Sequence, residues 1–74
     1  MEEKQKVAIF ESIYHVLCAE KILVEKGLNY KIIPVPRQLS SDCGVCLKFS
    51  ADSEEAVIIA LQGKVTVEGV YPLP

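Results

Sequence analysis

The chain has 74 residues, half of them hydrophobic and 24% charged, with a formal net charge of −2. That is one small globular domain spanning 1–74. A domain of this size buries only about 60% of the surface its unfolded chain exposes, which leaves little room for an enclosed catalytic pocket. The acidic balance argues against a nucleic-acid partner, because binders of the phosphate backbone carry a basic face.

The chain opens on charged residues, MEEKQK, and the apolar run that follows is only Val7 to Phe10. No signal-peptide core and no stretch of about 20 apolar residues is present. Three cysteines, an odd number, suit reduced thiols better than a disulfide framework. The expectation is a cytoplasmic protein with no membrane partner.

In chain order, residues 1–5 read as a flexible tail. Lys6 to Phe10 is a strand, and Ser12 is placed to cap a helix from Ile13 to Lys26 that stops at Gly27. Tyr30 to Val35 is a β-branched strand ended by Pro34 and Pro36. Gln38 to Gly44 is polar and turn-like. Val45 to Phe49 alternates, with Val45, Leu47 and Phe49 on one face and Cys46 and Lys48 on the other. Asp52 and Glu55 form a capping-box pattern ahead of a second helix, Glu54 to Gln62, stopped at Gly63. Val65, Val67, Gly69 and Tyr71 alternate in a last strand, and 72–74 reads as a tail.

The order βαββαβ predicts an α+β, ferredoxin-like sandwich. Four antiparallel strands would carry two helices on one face. The other face is expected to be open, a surface for a partner or a second copy of the chain. On a helical wheel, Ile13, Val16, Leu17, Ala19, Leu23 and Val24 form the apolar arc of the first helix, and Glu20 falls inside it. A carboxylate there needs solvent or a donor. Arg37 and the backbone amides of residues 37–44 are the candidates.

Cys43-Gly44-Val45-Cys46 is a CxxC motif. A structural zinc site needs four ligands, and only His15 and Cys18 remain as soft partners, so no metal or cofactor is expected. Low-pKa dithiols sit at helix N-termini, whereas this motif leads into a strand. Cys43 lies in a polar loop where a thiol is accessible, and Arg37 is the nearest cation in sequence. Cys46 and Cys18 read as packing residues. Pro36 would form a rigid rim under Arg37, and Ser40, Ser41 and Asp42 can make side-chain turns. His15 reads as a boundary residue.

Three segments together resemble a known family: Ala19-Glu20-Lys21, Ile33-Pro34-Val35-Pro36-Arg37, and Ser40-Ser41-Asp42-Cys43-Gly44. They resemble the selenium/sulfur carrier-like family of small domains. Gly69-Val70-Tyr71 also fits its closing strand. The resemblance implies that Cys43 is a carrier thiol, Arg37 its accompanying arginine and Glu20 the motif glutamate. Cys46 departs from the pattern, where a small residue is expected; it is either such a residue or a resolving thiol. The implied partners are a cysteine desulfurase or selenocysteine lyase as donor and an acceptor enzyme. Two other classes fit the residues: an interaction or regulatory module docking through the open sheet face, and a CxxC redox or soft-metal module.

Overall fold

The computed structural model describes residues 4–39 and 44–73. Its elements are β1 (Gln5–Ile9), α1 (Ile13–Glu25), β2 (Lys31–Pro34), β3 (Val45–Ser50), α2 (Glu54–Leu61) and β4 (Gly69–Pro72). The four strands form one antiparallel sheet in the order β2-β3-β1-β4, compatible with the ferredoxin-like arrangement.

The first helix forms where its signals place it. The Ser12 side chain accepts from the His15 amide, and Gly27 follows the C-cap Lys26 with φ +72°. Ala8, Phe10, Leu47 and Phe49 project from the sheet toward Val16, Ala19 and Leu23 of α1 and Val57, Ala60 and Leu61 of α2, forming the main core. Lys6 also projects to this side, where it meets Glu54 at the start of α2 at 2.8 Å.

The start of α2 differs from expectation. The chain first makes a 3₁₀ turn, Ala51–Ser53, in which the Ser50 hydroxyl accepts from the Asp52 amide. The capping residue of α2 is Ser53, not Asp52, and its side chain makes no capping bond. The strand ends one residue before the 3₁₀ turn, so Ser50 is the hydroxyl in reach of the first free amide.

The last strand is also shorter than its alternation suggests. After α2 the amides of Lys64 and Val65 both bond to the Leu61 carbonyl, which folds Val65 into the core. The ladder begins at Glu68, whose amide reaches the Ile9 carbonyl. β1 ends at Ile9, and its residues Lys6 to Ile9 pair in register with 72 to 69.

Both expected tails take part in the fold over their described residues. Gln5 pairs with Ser50 in β1, and the Lys4 carbonyl accepts from Ala51. Pro72 pairs with Lys6 on an edge strand, where a missing N–H is tolerated. The Leu73 amide bonds to the Gln5 carbonyl.

The face away from the helices is not open as expected. Val7, Ile9 and Cys46 project there and are 0–2% exposed. Val35, Leu39 and Leu73 pack over them, together with Ile33. A sheet face of Val, Ile and Cys costs too much left in water. Two chain segments flanking the sheet, the one after β2 and the one after β4, fold back to cover it.

Candidate functional site

The β2–β3 connection carries Pro36, Arg37, Ser40, Cys43 and Gly44. Its neck is tied by a bond from the Val35 amide to the Gly44 carbonyl, 3.1 Å, which extends the ladder one step past Pro34 and Val45. From there Pro36 to Leu39 make a turn closed by the Leu39 amide on the Pro36 carbonyl, 2.9 Å. Pro36 supplies rigidity and an acceptor without demanding a partner for an N–H. Leu39 is the anchor: it seats on the second apolar cluster, beside Cys46. Arg37, inside the turn, is exposed and has no acidic partner among the described residues. Ser40 and Cys43, with the two residues between them, lie outside the described residues.

Gly44, one peptide bond beyond Cys43, has φ +82°. A Cβ built there meets nothing within 4 Å, so the need for glycine is in the backbone and not in space. Gly44→Ala is therefore expected to cost about 1–2 kcal/mol, the left-handed penalty of an L residue, read as a lowered urea midpoint with unchanged slope.

Cys46 is fully buried, and its Sγ lies 4.0 Å from the Pro34 carbonyl oxygen. It packs as a small residue with Val7 and Ile9 in the cluster that Leu39 also joins, and its thiol is not at the surface. Cys18, expected to pack, is instead exposed on α1; it sits on the flank opposite Val16, Ala19 and Leu23. Cys18 and Cys46 are thus on different sides of the sheet.

Glu20 is held by a residue that its position in the sequence did not reveal. The Tyr30 hydroxyl donates to Glu20 Oε2 at 2.6 Å, so among the described residues its partner is Tyr30 and not Arg37. β2 runs between Tyr30, before its start, and Arg37, past its end. The pair ties the middle of α1 to the approach to the edge strand. The hydrogen bond to Glu20, then desolvation and the carboxylate charge, raise the Tyr30 pKa above the ordinary 10.0. The contact contributes fully below the unfolded pKa and is lost as pH rises through the folded one. Phenolate absorbance should show one tyrosine titrating late, and Glu20→Gln should return it toward the ordinary value. A late tyrosine that persists in that variant would refute the assignment.

Half of the predicted apolar arc of α1 is exposed: Ile13, Leu17 and Val24 are 46–63% accessible. The sheet beneath α1 ends at β2, so that flank has no strand to cover it. His15 is half-buried, its Nδ1 3.0 Å from Ser12 Oγ, and serves the start of the helix.

Beside the Leu39 anchor is a shallow cleft of about 480 Å³, lined by Ile9, Gln38, Leu39, Glu68 and Tyr71. The Tyr71 ring lies over Gly69; a Cβ on that glycine would come within 2.6 Å of the phenol oxygen. The Gly-x-Tyr spacing on one strand face carried this signal, because residues two apart share a side.

No described helix is long and apolar enough to cross a membrane. Comparison with known families matches residues 5–72 to the model described as "Putative Se/S carrier protein-like". Neither the curated proteins nor the solved structures gave a match.

Proposed function

Because the chain belongs to the Se/S carrier protein-like family, matching it over residues 5–72, we propose that it carries a sulfur or selenium atom on Cys43. The observation that supports this most is the combination of that match with the loop geometry. Cys43 adjoins Gly44, whose φ is +82°, in a connection pinned by Leu39 and carrying Arg37, which has no acidic partner among the described residues.

In this reading a pyridoxal-phosphate desulfurase, or a selenocysteine lyase, presents a persulfide or perselenide. The Cys43 thiolate attacks the outer chalcogen. The bond to the donor cysteine breaks, that cysteine leaves as thiolate, and a new S–S or S–Se bond forms on Cys43. An acceptor enzyme later attacks the same terminal atom. Arg37 stabilises the anion. A carrier of this kind needs an accessible thiol and no deep pocket. It works in the cytoplasm, where its thiols stay reduced.

Cys46 fits a packing role better than a resolving one. Its thiol is fully buried in the second apolar cluster. The interaction-module reading loses the open face it needed, since Val35, Leu39 and Leu73 occupy its centre. The test is intact mass after incubation with a cysteine desulfurase and cysteine. A sulfur adduct on the wild type is expected; no adduct with a competent donor would overturn the reading.

A further inference from the structure

We propose that the end of the back face farthest from the cysteine loop is a binding site for a small phosphomonoester. Lys31 on β2 and Lys48 on β3 are direct cross-strand partners and project to the same face of the sheet. Neither has an acidic partner among the described residues. Like charges placed directly opposite destabilise a strand pair. An anion seated between the two ammonium groups reverses that penalty and gains two charge-assisted hydrogen bonds.

The surroundings suit a ligand rather than bare repulsion. Both lysines line an open cleft of about 730 Å³, within the range of small-molecule sites. Gln5, Asn29 and Ser53 add amide and hydroxyl groups to its wall. The Ser53 hydroxyl makes no capping bond to α2 and is free to turn to a ligand. Tyr30 also lines the cleft, its hydroxyl held by Glu20, and so offers a fixed ring surface.

One group limits the ligand. Asp52 stands on the same wall and opposes a second dense negative charge. It accepts well from a hydroxyl. Glu54, the next acid, is already occupied by Lys6. A phosphate on Lys31 and Lys48 with a ligand hydroxyl toward Asp52 satisfies all three charges, which is the chemistry of a sugar or nucleoside phosphate.

The test is amide NMR of the full chain, titrated with inorganic phosphate and with AMP at constant ionic strength held by chloride. Saturable shifts are expected, confined to residues 29–31 and 48–53. Lys31→Gln and Lys48→Gln should each weaken binding about tenfold, the worth of one charge-assisted hydrogen bond. In chloride alone both variants should melt at or above the wild type, because the like-charge contact is relieved. Phosphate should raise the melting temperature of the wild type and not of the double variant. AMP binding tighter than phosphate supports the monoester site; equal affinity would overturn it in favour of a free-phosphate site. Shifts that do not saturate with either probe, or variants that bind as the wild type does, would overturn the proposal.

Discussion

Cys43→Ser is expected to abolish sulfur loading, while Cys46→Ser loads as the wild type does. The two thiols are three positions apart in the sequence; Cys43 lies outside the described residues, and the surroundings of Cys46 are known. Cys46 is fully buried with Val7 and Ile9 in the cluster against which Leu39, Val35, Ile33 and Leu73 pack. A thiol with no exposed surface is out of reach of a persulfide presented by another protein. Cys43 belongs to the connection whose neck is the Val35–Gly44 bond. Intact mass on the wild type and both variants separates the cases. An adduct that disappears only with Cys43→Ser supports the carrier. A loss of two hydrogens that needs both thiols would instead mark a redox pair. Iodoacetamide should label the native protein at Cys18 and at Cys43, with Cys46 protected until the chain unfolds. Leu39→Ala should remove that protection, because its side chain is part of the cover.

Phe10→Ala is expected to be the most damaging of the substitutions considered, costing about 3–5 kcal/mol. Phe10 is fully buried where β1 gives way to α1, and its ring fills space between the sheet and both helices. A domain of this length has only about 4–11 kcal/mol of total stability, at roughly 0.05–0.15 kcal/mol per residue. The variant should therefore unfold at much lower urea and show a populated unfolded fraction near physiological temperature. A urea melt monitored by circular dichroism reads this directly. A loss under 1 kcal/mol would mean that the core refills the space and that the layer packing described above is looser than it looks.

The charge neighbourhoods of the two ends differ in kind. At the loop end, Arg37 is the exposed cation in the turn that Leu39 anchors. At the other end, Lys31 and Lys48 face one cleft. A molecule of net charge −2 thus keeps, at two separate places, cations without an acidic partner among the described residues. Loading at Cys43 and phosphate binding at the lysines can be tested independently, since no residue is shared between them.

The order of elements, the faces of β3 and the limits of α1 could be read from the chain alone. Those features depend on neighbours in the chain: the alternation of Val45, Leu47 and Phe49 against Cys46, and the Ser12 and Gly27 signals. It also carried the Pro36, Arg37, Cys43 and Gly44 pattern by which the family was recognised. Glu20 was legible as an anomaly because a carboxylate broke an apolar arc.

Only the tertiary structure decided its partner. Tyr30 is ten positions away and meets Glu20 because β2 returns beneath α1. The closing of the second face was equally invisible. Leu39 stands alone in a polar run, and Leu73 lies in an apparent tail, so neither had a periodicity to declare it. Each finds its role through contacts with Val7, Ile9 and Cys46 from other strands. The length of β4 was set by what β1 could pair with, not by its own alternation. Local pattern fixes which way a side chain faces; what stands opposite depends on chain segments that only the folded topology brings together.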